Sequence, residues 1–154
     1  MPATLFAIGK MRFAPYRAAA DEYLRRIKHY MPLQEVELKS ELSPKLSELQ
    51  IREKESRQIM AQVAQGSHLF VLDERGKLMS STQFAQVIEG LMAQSIPMAF
   101  AIGGAFGHHD VLRQRANIVF GLSPLTFPHE LARVLVYEQI YRAMTIIKKE
   151  PYHK

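Results

Sequence analysis

The 154-residue chain contains no cysteine. That removes a disulfide framework, a zinc–thiolate centre, an iron–sulfur cluster and a cysteine nucleophile together. No basic segment precedes its first apolar run, Thr4–Ile8, so that run reads as a strand and not as a secretory leader. Nor is there an apolar stretch fit to span a membrane. The longest uncharged segment, Gly90–His109, is broken by Gln94, Ser95, Pro97, Gly103 and Gly104. No repeat, linker or low-complexity tract divides the chain, and its length suits one domain over residues 1–154. The expected compartment is cytoplasmic.

What is present is ordinary globular material: 47% hydrophobic and 23% charged residues, enough to build a core and too apolar for disorder. The net charge of +5 permits a polyanionic partner without requiring one. Short apolar runs at Thr4–Ile8, Leu33–Leu38, His68–Leu72, Met98–Ile102 and Asn117–Leu122 alternate with helical patterns. Strand and helix in alternation predict an α/β fold, a mostly parallel sheet with helices on both faces. In the second run Gln34, Glu35 and Glu37 interleave with Leu33, Val36 and Leu38, which suggests an edge strand.

Helix starts carry their own signals. Ser43-Pro44 reads as an N-cap with proline at the first helical position, opening a charged helix with Leu49, Ile59, Met60 and Val63 inward. Ser80-Ser81-Thr82-Gln83 fits a capping box. A short helix begins at Asp110, and the last runs from Pro128 to about Lys149. That last helix has apolar residues in nearly every direction, among them Leu131, Leu135, Tyr137, Ile140, Tyr141, Met144 and Ile147. A helix on one sheet face needs a single apolar stripe, so a second copy of the chain is the expected cover.

Parallel sheets bind ligands at the carboxyl ends of their strands. The three loops there are Leu72–Lys77, Gly103–Gly107 and Leu122–His129. The glycine loop lacks the spacing and position of a dinucleotide fingerprint, and Gly76-Lys77 lacks the upstream glycine of a P-loop. Asp73 ends the third strand as in a receiver domain, yet Gly9-Lys10-Met11 supplies no acidic partners after the first. The histidine pair His108-His109 matches no zinc spacing and reads as solvated, and no metal site is expected. The tail Glu150-Pro151-Tyr152-His153-Lys154 sets basic and aromatic residues side by side, a pairing that can stack on a base and contact phosphate.

Taken as a set, Leu72-Asp73…Gly76-Lys77, Ile102-Gly103-Gly104-x-x-Gly107, Leu122-Ser123-x-Leu125-Thr126-Phe127-Pro128-His129, Arg133-Val134, Glu138-Gln139-x-Tyr141-Arg142-Ala143 and Tyr152-His153 resemble the ribosomal RNA large subunit methyltransferase H family. The resemblance spans the whole chain in order and spacing. Ala105 and Phe106 depart from the residues often found between those glycines, which leaves the glycine geometry intact.

The resemblance implies a SPOUT-type fold with a C-terminal trefoil knot, formed where the Leu122–Phe127 loop and the final helix thread back, and a homodimer through the C-terminal helix. It implies S-adenosyl-L-methionine as methyl donor. The implied acceptor is N3 of a pseudouridine in 23S rRNA of the assembled ribosome. Carried onto this sequence, the donor site comprises Leu72, Gly103, Gly104, Leu122, Ser123, Pro124, Leu125, Thr126 and Phe127, with the glycines admitting the donor close to the backbone. The catalytic candidates are His153 as base for the N3 proton, Tyr152 as its stacking or hydrogen-bonding partner, and Arg142 toward phosphate or substrate. Two other functions share these features: a related SPOUT methyltransferase acting on tRNA, and a non-catalytic ribosome-binding factor that kept the fold.

Overall fold

The structure, a computed structural model, describes residues 2–154. Strands and helices alternate in the order β1 (Ala3–Ile8), α1 (Ala14–Ile27), β2 (Leu33–Leu38), α2 (Glu48–Gln62), β3 (His68–Leu78), α3 (Ser81–Ala93), β4 (Met98–Ile102), α4 (Asp110–Arg115), β5 (Ile118–Gly121) and α5 (His129–Ile147). The strands form one sheet in the order β2-β1-β4-β3-β5, every neighbouring pair parallel. β2 is an edge, as its interleaved polar residues suggested.

Side chains of a strand alternate between faces, so each strand feeds two cores. Ala3, Leu5 and Ala7 of β1, Phe70 of β3, and Met98, Phe100 and Ile102 of β4 meet the layer made by α1, α3 and α5. Phe6, Ile8, Leu69, Val71, Ala99 and Ala101 meet Ile59 of α2 and Leu112 of α4 on the opposite face. The first core is the larger and is centred on aromatic rings: Phe70 stacks on Phe100 with centroids 4.8 Å apart, and Phe84 stacks on Phe120 at 5.7 Å. Each such ring removed from water contributes roughly 1.5–3 kcal/mol.

Three expectations need correction. The second helix does not open at Ser43-Pro44. It opens at Ser47, whose hydroxyl accepts from the Gln50 N–H while the Gln50 side chain returns to the Ser47 N–H. This reciprocal pair satisfies two orphan donors, and Ser43-Pro44 is left as a turn that precedes it. Leu49 consequently lies 53% exposed, and Ile51, Glu55, Ser56 and Ile59 form the buried face. The third strand does not stop at Leu72: it bulges and rejoins β5, Leu72 and Lys77 both standing opposite Phe120. Finally, the apolar circumference of α5 is covered largely by its own chain, because α5 lies between α1 and α3. Ile140 and Tyr137 are fully buried there.

The Ser80 capping box stands as expected, with Gln83 as its reciprocal partner. Replacing Ser47 by Ala should lower unfolding free energy by about 1 kcal/mol, and Ser43→Ala by less than about half of that. Urea denaturation of the two variants checks where the helix begins.

Candidate active site

At the carboxyl edge of the sheet, the ends of β3, β4 and β5 surround a cavity of about 480 Å³. That volume suits a ligand of cofactor size. Leu72, Gly103, Gly104, Leu122, Ser123, Leu125, Thr126 and Phe127 all line it. Pro124 belongs to the same loop and lies exposed. The loop after β5 is held in shape by Ser123, whose hydroxyl accepts from the Leu125 N–H, and by the Thr126 hydroxyl donating to Glu74. One wall is apolar, made by Leu72, Leu122, Leu125 and Phe127. The other is polar: Asp73, only 8% exposed at its side chain, accepts from Arg113 at 2.6 Å. Burial would raise the Asp73 carboxyl, but the Arg75 N–H and Arg113 outweigh it and hold the group below the usual range.

Arg113 was not legible as a site residue. Its only sequence signal is a position one turn into a helix that follows the glycine loop. His129 also lines the cavity, at the first turn of α5.

The glycines act differently from expectation. A Cβ on Gly103 would sit 3.0 Å from the Gly107 backbone, and one on Gly104 would sit 3.1 Å from Glu55 Oε1 and from Ile8 Cγ2. Their smallness therefore lets the loop close on itself, through the Gly104–Gly107 bridge, and pack on α2. The Ser56 hydroxyl completes that support by accepting from the His109 N–H at 2.9 Å.

His108 is corrected too: it is buried at 2% exposure, not solvated, and lines the cavity. His109 is the N-cap of α4, its Nδ1 accepting from the Val111 N–H.

The tail is tied down at the other end of α5. Glu138 is the knot of this cluster. Its Oε1 accepts from Arg142 Nη2 at 2.6 Å, from Arg142 Nε at 3.0 Å and from the Tyr152 hydroxyl at 3.1 Å. Arg142 lies 4.8 Å above the Tyr152 ring and reaches His153 Nδ1 at 3.1 Å. The three catalytic candidates thus form one constellation, ordered by a carboxylate that sequence reasoning had not singled out. Burial and the Glu138 hydrogen bond push the Tyr152 phenol up to about 12, so it stays protonated near neutrality.

The constellation and the cavity are not adjacent within one chain. Arg142 lies fourteen positions after Pro128 along α5, roughly 20 Å at the α-helical rise.

A parallel α/β sheet, a ligand-sized cavity at its carboxyl edge and a glycine-closed loop in its wall agree with what similarity reports. The family model described as predicted SPOUT methyltransferase matches residues 1–153. The chain belongs to the SPOUT methyltransferase family. Its branch is that of the ribosomal RNA large subunit methyltransferases H. The chain is 38% identical over 154 residues to the protein of that name from Syntrophotalea carbinolica, covering 99% of each. It is 40% identical to that of Gemmatimonas aurantiaca, covering all of both. Among solved structures, a probable methylase family protein from Haemophilus influenzae Rd KW20 shares the fold, with TM-score 0.52 at 14% identity over 99% of this chain and 70% of that one.

Burial is the main cause that pushes the His108 imidazole down, to about 4 from its ordinary 6.5, with Arg113 acting in the same direction. The native ring is neutral where the unfolded one takes up a proton. Its contribution is therefore complete above pH 6.5 and is lost as pH falls toward 4, by on the order of 3 kcal/mol. Burial raises Glu55, which titrates with the opposite sign, so the comparison must be between proteins. His108→Leu should flatten the acid limb of stability against pH, as read by urea unfolding at a series of pH values.

Proposed function

We propose that the protein transfers a methyl group from S-adenosyl-L-methionine to N3 of a pseudouridine in 23S rRNA, acting on the assembled ribosome in the cytoplasm. The observation that carries this is the cavity, which gathers at one strand edge the residues expected for the donor from three separate loops. Its residues fit such a group. Leu72, Leu122, Leu125 and Phe127 offer a slot for an adenine ring, and the Asp73–Arg113 pair offers polar contacts to a sugar or an amino acid end. When bound, the donor supplies an electrophilic methyl on a sulfonium.

The chain's own part is binding, orientation and one proton. The cavity walls fix the donor, which supplies most of the help that a strong electrophile needs. The acceptor N3 is a weakly acidic imide. With the donor bound, His153 would take the N3 proton while N3 bonds to the methyl carbon, the carbon–sulfur bond breaks and the neutral thioether S-adenosylhomocysteine leaves. Arg142 presents its guanidinium to phosphate, and Tyr152, kept protonated, offers an aromatic face and a donor. N3 lies on the Watson–Crick edge, so the acceptor must be unpaired or splayed out.

In this reading a second chain bridges the distance along α5. In the homodimer, the tail of one protomer reaches the cavity of its partner, and both sites are composite. A second copy would cover Leu125 of the cavity loop, 71% exposed, and Leu78, 52% exposed. Ile140, fully buried within its own chain, is no part of that interface. The same reading carries the trefoil knot, with α5 returning from the β5 edge to pack on α1, and one functional unit over the whole chain.

Leu72→Lys should place a cation in the apolar slot and weaken donor binding at least tenfold by calorimetry. A chain ending at Pro151 should fold and bind donor normally, yet lose nearly all transfer to ribosomes. His153→Ala should slow transfer by roughly 10²-fold. Mixing the Leu72→Lys and truncated proteins should restore part of the activity, since one composite site per hybrid dimer is intact. Full activity of the truncated chain, or no rescue on mixing, would count against this reading. Nucleoside mass spectrometry of the treated rRNA identifies the methylated position, and free tRNA serves as the competing acceptor.

A further inference from the structure

The last turn of α1 stands beside the tail. Arg26 of α1 lies over two rings at once, 5.7 Å from the Tyr23 centroid and 5.4 Å from that of Tyr141. Tyr141 in turn packs edge-on to Tyr152 at 4.7 Å. The Tyr30 hydroxyl donates to Glu150 at 2.5 Å, tying the end of α1 to the end of α5. Rings and guanidiniums therefore form one continuous row from α1 to the tail: Tyr23, Arg26, Tyr141, Tyr152, Arg142.

Around this row basic side chains predominate. Arg25, 64% exposed at its side chain, pairs with Glu22 at 2.7 Å, and Lys28 and His29 are exposed beyond it. Lys148 and Lys149 are exposed on the neighbouring helix end. The local carboxylates Glu22, Glu138 and Glu150 are all engaged in hydrogen bonds. A groove of about 510 Å³ opens at the same edge, and Lys28, His29, Tyr30 and Gln34 line it.

We propose that the α1 end, Tyr23 to Tyr30, is a docking surface for a single-stranded or looped stretch of RNA flanking the acceptor nucleotide. Phosphates lie along Arg25, Lys28 and the groove, and a neighbouring base lies on the half-buried Tyr–Arg row. An acidic protein would be served by the cations alone. The interleaved aromatic faces are what a chain of bases uses. The surface adjoins the tail constellation, so a strand laid on it leads directly to His153. This rests on the reading that the tail receives the acceptor base.

The test is Arg25→Glu combined with Lys28→Glu. Its control is Lys45→Glu combined with Lys54→Glu, the same change of charge at exposed positions before and on α2, the helix on the opposite face of the sheet. The first protein should show a KM for ribosomes raised at least tenfold, with kcat, donor affinity and melting temperature close to wild type. Its affinity for a 23S rRNA stem-loop fragment should fall, and the slope of log affinity against log salt should flatten by about 1.5, the value for two lost phosphate contacts. The control should match wild type.

An unchanged KM and salt slope, or an equal effect in the control, would overturn the proposal. So would polyglutamate competing as well as the RNA fragment, which would mark an acidic protein as the partner. Fragment binding is read without methyl transfer, so it separates the two readings. A wild-type protein that binds the fragment through these residues yet methylates no ribosome would sink the proposed reaction and leave the surface standing.

Discussion

One buried guanidinium holds the architecture together. Arg133 on α5 is 3% exposed, and a charge so placed is tolerable only if fully matched. Its partners are Glu35 and Glu37 of the edge strand β2, at 2.9 and 2.5 Å, and the carbonyl of Gly9 after β1. Arg17 of α1 and the Tyr137 hydroxyl complete the shell on Glu35. Burial alone would raise the Glu35 carboxyl, and these donors outweigh it and keep the group ionised. Losing one partner of such a pair costs on the order of 3–5 kcal/mol, because the remaining charge stays buried. The clamp joins β2, the β1 turn, α1 and α5. It thereby sets the line along which α5 runs, with one end at the cavity and the other at the tail. Glu130 extends it by accepting from the Arg12 and Phe13 N–H groups.

This clamp explains why β2 was legible as an edge for only part of the right reason. Alternation of Gln34, Glu35 and Glu37 with apolar residues does mark a strand with one exposed flank. Glu35 and Glu37, however, share a face with buried Leu33 and point at the helix layer, where they meet Arg133, over 95 residues away in sequence. Periodicity reports which positions are polar and is silent on their partners. The rest of the sheet was legible because Val, Leu, Ile and Phe runs of five or six residues have few other uses. The start of α2 was not, since Ser43 followed by proline looked like a cap four residues before the serine that is one. Only Ser47 has a glutamine three positions on. The two-sided apolar pattern of α5 was read correctly as two-sided burial, and its cover lay in α1 and α3 of the same chain.

The residues that the resemblance assigns to a donor site, Pro124 apart, line one cavity. The reasons attached to some of them have changed. Gly103 and Gly104 answer to Gly107 and Glu55, so their demand is internal to the loop. His108 was misjudged because a doubled histidine before a helix ordinarily faces water, and nothing local reveals that the first turns inward. Glu138 went unassigned for a similar reason: a carboxylate four residues before an arginine on a helix is an ordinary surface pair. Only the chain doubling back at Pro151 makes it the acceptor for Tyr152 as well.

The detour in β3 has its own consequence. Leu72 and Lys77 stand opposite the same residue, Phe120, so the segment between them leaves the sheet and returns to the point of departure. A Cβ on Gly76 would lie 2.5 Å from the Phe120 carbonyl carbon, which sets the place of return. Such a segment is a ring closed by the sheet itself, and the entropy of closing it is already spent by strand pairing. Its length and composition are therefore free of the strand order. Arg75, 80% exposed at its side chain, can be exchanged, or the ring enlarged, while the hydrophobic register on either side and the Asp73–Arg113 pair stay as they are. Among the cavity walls, this is the one that can be rebuilt for a different ligand without rebuilding the fold.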